Sequence, residues 1–258
     1  MEEIKVKPVL KITLAASFMA LAFILTIFGK MLAEPIRILP FVQLNFSTAI
    51  IAFSSIALGP LYGAIVGIGS DLLGMVYEFH PPYNPIYTVI AMLWGIIPWL
   101  LYKLFKNIKS NKAKAITLVS LVSASYLLLI SLFYIFKVVN FKQANDAIKL
   151  VISIVTGVSF VAFIIVVMLL HWKKKLEIFG MNLFDLSIII FISFILLGVV
   201  STAGALQLYF KVLSSSSLSF TYFELFGYLL VWVLPNLLLD LFIMYMSLKA
   251  YYHAFRNK

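Results

Sequence analysis

The sequence predicts an all-α, polytopic integral membrane bundle, and three observations predict it. Hydrophobic residues make up 63% of the 258 and charged residues 12%, about half the roughly 25% share usual in a soluble domain. Mean hydropathy is +1.07, and the apolar runs recur at the roughly 20-residue length that crosses about 30 Å of hydrocarbon. Basic residues then collect in alternate connections, as they do when cytoplasmic loops hold the positive charge.

Eight spans follow in order, at about 12–29, 41–58, 61–77, 86–105, 115–136, 150–171, 183–207 and 224–248. The run from Ile12 to Phe28 carries its small residues early, away from any cleavage position, and reads as a retained span rather than a signal peptide. Gly59-Pro60 joins the second and third spans with almost no loop, because proline breaks the first helix and opens the next. The serine-rich segment Ser214–Glu224 reads as an outer loop before the last span. No internal repeat is visible, so the inverted-repeat signature of a self-contained secondary transporter is missing.

Charge orients the chain. Lys5, Lys7, Lys11, Lys103, Lys106, Lys109, Lys112, Lys114, Lys173–Lys175, Lys249, Arg256 and Lys258 fall on one side, which becomes the cytoplasmic one. Both termini are expected there, in a multi-pass plasma-membrane protein. The net charge of +10 is thereby topological and does not point to nucleic acid.

Chemistry-bearing groups are sparse. There is no cysteine, hence no disulfide and no thiol chemistry. His80, His171 and His253 stand apart in the sequence and form no H-E-x-x-H pair, and no Walker loop is present. No catalytic residue, metal site or resident cofactor is expected, and the chain is not read as an enzyme.

Polar residues cluster on the outer side instead. The segment "EPIRILPFVQLNFS" brings Glu34, Arg37, Gln43 and Asn45; "YEFHPPYNPIY" brings Tyr77, Glu78, His80, Tyr83, Asn84 and Tyr87. Two proline-rich segments with aromatic and hydrogen-bonding groups suit the mouth of a small-molecule pocket. Arg37, Gln43, Asn45, Asp71, Tyr77, His80, Tyr83, Asn84 and Tyr87 are the candidate binding residues. Asp71 lies about ten residues past Pro60, roughly 15 Å along the helix, and must face inward because a carboxylate in lipid is costly. It is either a ligand group or an internal helix contact. Asp240, after Pro235-Asn236, has the same two readings and is expected nearer the cytoplasm.

Glycines punctuate the third span: Gly63, Gly67 and Gly74 recur at small-residue spacing and predict a face that lies close against a neighbouring helix. In the first span Ala16-x-x-x-Ala20 offers a second small face.

The order "PIRILPF", "ALGPLYGAIVGIGSDLLG", "YNPIYTVIAMLWGIIP" and the closing "VLPNLLLDLFIMYMSL" resembles the substrate-binding S component of an energy-coupling factor (ECF) transporter, nearest to the folate-type group. The resemblance covers about Lys11–Phe105 and Leu183 to the end. It implies a six-helix core made of residues 11–107 and 183–252, with 110–180 as an inserted pair of spans. It also implies a high-affinity vitamin-binding subunit that takes its cargo from outside. Folate is the first expectation; riboflavin, pantothenate and thiamine are the alternatives, with a self-sufficient secondary transporter as the contrasting class. The resemblance further implies docking through Ala16 and Ala20 onto a membrane coupling subunit driven by two cytoplasmic ATPases, which use the ATP. The fourth-span start, Asn84-Pro85-Ile86-Tyr87-Thr88, departs from the Pro-Gly-Phe-Thr pattern of folate-type members.

Overall fold

The computed structural model describes residues 7–33, 45–78, 84–106, 177–178, 181–208 and 222–255. The expected spans at 115–136 and 150–171 lie outside these residues. The others are helices: α1 (Pro8–Ala33), α2 (Ser47–Leu58), α3 (Pro60–Glu78), α4 (Pro85–Trp94), α5 (Ile97–Lys106), α6 (Leu183–Ser193), a π-helical segment (Phe194–Ser201), α7 (Thr202–Leu208) and α8 (Tyr222–Phe255). A two-residue antiparallel ladder, Glu177–Ile178 with Met181–Asn182, precedes α6. Four stretches among the described residues are long and apolar enough to cross a membrane: Pro8–Met31, Pro60–Tyr77, Pro85–Lys106 and Asp185–Leu208.

Local chemistry explains the breaks. Gly59 adopts φ +102°, where a side chain would be strained, and Pro60 supplies a fixed φ for the first residue of α3. The expected 86–105 span is two helices. Pro98 has no N–H to return to the Trp94 carbonyl, so α4 stops at Trp94 and α5 restarts at Ile97. At the other end Asn84 caps α4, its Oδ1 accepting from the Ile86 N–H at 3.1 Å with Pro85 as first helical residue.

Packing places α1 at the edge and α6 at the centre. Only 17% of the α1 span is buried, against 61% of the span from Asp185 to Leu208. Ile188, Ile189 and Ile190 are consecutive and each no more than 1% exposed, so α6 is enclosed on all sides. α1 packs on α2 and α3, α3 on α4, and α8 on α2, α7 and the π segment. The centre is tied by ring edges, Trp94 against Phe194 at 5.1 Å and Phe18 against Phe53 at 5.0 Å between centroids.

Glycine provides the closest approach. A Cβ on Gly63 would run into the Gly95 carbonyl oxygen and, at 2.6 Å, the Ser55 Cβ; one on Gly67 would run into the Ala91 carbonyl. These two glycines form the expected close face, with α4 and the α4–α5 break as its partner. Gly74 does not join it, since nothing lies within 4 Å of a Cβ there. Gly69 serves another contact, with the Met19 side chain of α1.

Several hydroxyls inside these helices bond to carbonyls of their own helix, which satisfies them in an apolar surrounding. Ser54 donates to Ile51 O, Ser70 to Gly67 O and Ser193 to Ile189 O. In the π segment the reach lengthens by one residue: Ser201 Oγ donates to Leu196 O at 2.9 Å and Thr202 Oγ1 to Leu197 O at 2.8 Å.

Candidate functional site

The helix connections place the last turn of α1, the first turn of α2, the end of α3 and the first turn of α4 at one end of the bundle. The candidate polar residues among the described ones fall at this end, in three groups.

The first group joins α2 to α8. Asn45 Oδ1 accepts from the Ser47 N–H at 3.2 Å and the Ser47 hydroxyl at 2.6 Å, fixing the start of α2. The Asn45 N–H donates to Asn236 Oδ1 at 3.3 Å. The Thr48 hydroxyl lies 2.9 Å from Asn45 O and 2.7 Å from Asp240 Oδ2, with one hydrogen for the two acceptors. Asp240 is 1% exposed, and its Oδ1 has no hydrogen-bond partner among the described residues. Asn236 and Asp240 are four apart, so α8 presents both on one face. Asp240 is therefore level with the first turn of α2, among the polar-end groups, and not nearer the lysine-rich end as its sequence position suggested. The misplacement has a cause: Asn236 comes 14 residues after the start of α8 at Tyr222. So α8 extends roughly 20 Å past the start of α2.

The second group joins α1, α3 and α4. Asp71 Oδ2 accepts from the Thr88 hydroxyl at 2.5 Å. Asp71 is half-buried. Of its two readings, the inward contact is present: the carboxylate links the third helix to the first turn of α4. Tyr77, one and a half turns further on, is 57% exposed and stacks edge-on against Phe23 of α1 at 6.2 Å.

The third group is Asn84, which is buried and whose Nδ2 donates to Ala205 O at 3.5 Å, linking the start of α4 to α7. Tyr87 packs partly buried against the core. Arg37, Gln43, His80 and Tyr83 lie outside the described residues. Ala16 and Ala20 are both exposed on α1, whereas Ala15 and Ala22 turn inward at 4% and 0% exposure.

Sequence reasoning missed Thr48 and Thr88 as partners of the carboxylates, and Asn236 as the acceptor for the Asn45 N–H. The signal was available: a hydroxyl three residues after Asn45, one four residues after Asn84, and a polar pair at i, i+4 on the apolar α8.

Searches of curated proteins and of solved structures return no match. A family model describing the ECF-type riboflavin transporter S component matches residues 7–176. That match takes in α1 to α5 and continues through the segment that carries the fifth and sixth expected spans. Covering well over half of the chain, it identifies this multi-pass helical membrane protein as a member of the ECF-type riboflavin transporter S-component family.

Proposed function

We propose that the chain is a vitamin-capturing S component with riboflavin as its cargo, docked for transport on an ECF coupling subunit driven by two ATPases. The family match over residues 7–176 carries this reading. The polar end supports it, since it gathers hydrogen-bonding groups from α2, α3, α4 and α8. Arg37, Gln43, Asn45, Asp71, Tyr77, His80, Tyr83, Asn84 and Tyr87 would line the site. A flavin offers an uncharged ring with carbonyl acceptors and one imide N–H, which suits amide and hydroxyl partners more than a cation.

Folate is the second reading, favoured by the order of the arginine loop, the Gly-Pro turn and the Asp-x-x-Gly helix. Its glutamate tail is anionic, so Arg37 would pair with it through a charge-assisted bond. In either reading the polar end faces outward, the lysine-rich end and both termini face the cytoplasm, and ATP is spent by the partners. Residues 11–107 and 183–252 form the core in this scheme, with 110–180 inserted; the burial of α6 and the seating of α8 on α2 support it.

The experiment is to purify the chain and identify the co-purified small molecule by absorbance and mass spectrometry. A flavin is expected, and a chain that binds no vitamin at sub-micromolar concentration would refute the proposal. Arg37→Ala separates the two cargoes. It should leave riboflavin binding unchanged, whereas loss of about 1.5–3 kcal/mol would indicate an anionic ligand. Uptake into liposomes holding this chain alone would instead support a secondary transporter.

A further inference from the structure

At the end opposite the polar groups, three lysines are held over aromatic rings. Lys11 Nζ lies 5.8 Å from the Tyr62 ring centroid, Lys103 Nζ 5.1 Å from Trp99 and Lys106 Nζ 5.7 Å from Tyr102. The last two pairs are i, i+4 on α5, so each ring supports a cation one turn further out. None of these lysines forms a salt bridge with a described residue. Asp185 of α6 is buried at 4%.

α5 also presents grease beside its charge. Leu100 and Leu104 are 46% and 64% exposed, and Lys103 and Lys106 are exposed with them. The break at Gly95 and Pro98 makes α5 a short helix of its own, Ile97–Lys106. Apolar side chains interleaved with lysines in the last two turns of a span suit the boundary between acyl chains and headgroups. The ring-bound ammonium keeps N–H donors for an outside acceptor, and no salt bridge to a described residue takes them.

We infer that the exposed face of α5, with Lys103 and Lys106 poised on Trp99 and Tyr102, is a binding surface for the headgroup of an anionic phospholipid. The occupant follows from charge complementarity: a phosphate diester that carries net negative charge satisfies both lysines while its acyl chains cover Leu100 and Leu104. A zwitterionic headgroup brings its own cation and satisfies them less well. This inference does not depend on which vitamin is carried.

The test uses the full chain in nanodiscs of phosphatidylcholine alone and of phosphatidylcholine mixed with phosphatidylglycerol. Native mass spectrometry of the released protein reads which lipid is retained. Wild type should retain phosphatidylglycerol selectively and melt higher in the mixed discs. The Lys103→Gln/Lys106→Gln variant should lose the preference by roughly 30-fold, about fivefold per lysine, with unchanged melting in phosphatidylcholine. Trp99→Leu/Tyr102→Leu, which keeps both charges, should lose part of it. Equal retention of the two lipids by wild type would overturn the inference, and this reading needs no variant to fold. So would undiminished selectivity in the lysine variant. A melting shift reproduced by inorganic phosphate in phosphatidylcholine discs would make the patch a general anion site and would equally overturn it.

Discussion

Gly67→Ala is the sharpest test of how α3 meets α4. The added methyl would meet the Ala91 carbonyl carbon at 2.7 Å and the Met92 nitrogen at 3.3 Å, besides the Ala91 oxygen. Carbon atoms rest about 3.5–4.0 Å apart, so the helices must separate locally by about 1 Å. Every obstructing atom is backbone, and no rotamer change relieves it. A radial gap of that size forfeits about a quarter to a half of each neighbouring dispersion contact, and overpacking of this kind costs about 1–3 kcal/mol. Alanine returns up to about 1 kcal/mol of helix propensity. The net expected loss is about 1–2 kcal/mol, or a Tm drop of roughly 2–8 °C at about 2–4 °C per kcal/mol.

Two sibling substitutions calibrate the result. Gly74→Ala enters open space and should raise Tm slightly through the same propensity gain. Gly69→Ala meets the Met19 side chain, which can swing away, and should fall between the two. Thermal unfolding in detergent, followed by intrinsic tryptophan fluorescence, measures all three. If Gly67→Ala melts at or above wild type, or no lower than Gly74→Ala, the close-packed crossing is not what holds α3 to α4.

Further outcomes are expected elsewhere. Thr48→Val removes the one hydrogen bond to the buried Asp240 carboxyl among the described residues, and should cost about 1.5–3 kcal/mol in thermal unfolding; adding Asp240→Leu should restore part of that loss, and additive effects would show that the two do not act together. Thr88→Val should cost less, about 1 kcal/mol, because Asp71 is only half-buried, and the same melting assay reads it. Ala16→Leu with Ala20→Leu should leave vitamin binding intact, since both residues are exposed, but abolish uptake when the chain is co-reconstituted with its coupling module. Surviving uptake would move the docking face off α1.

Much of the helical framework was legible because hydropathy and proline chemistry act locally. The described spans, the turn at Gly59-Pro60 and the Gly63–Gly67 face follow from residue type and spacing alone. The α4–α5 break was legible too, in Gly95 and Pro98, but long unbroken hydropathy masked it. Gly74 shows where spacing misleads: a small residue permits a close approach without requiring a neighbour to make one. The π segment carries no signal in Phe194–Ser201 beyond hydroxyls at its end, because the register depends on α6 and α7 each finding its own neighbours. The pairing of Asp240 with Thr48 depends on how deep α2 begins, and depth is a tertiary property. For the same reason the sequence offered Asn45 and Asp71 as site residues without revealing that each already holds a helix terminus in place.

The bonds from Asn45 to Asn236 and from Thr48 to Asp240 also bear on how the chain is made. Their partners are separated by 191 and 192 residues. At about 5–20 residues per second of synthesis, the interval is roughly 10–40 s. During that time α2 has emerged while the groups that complete its first turn do not yet exist. Its polar residues must be held by water, lipid headgroups or the insertion machinery until α8 arrives. A ribosome stalled before Asn236 would thus leave a nascent membrane protein with an incomplete second helix, and closure of the polar end waits for α8.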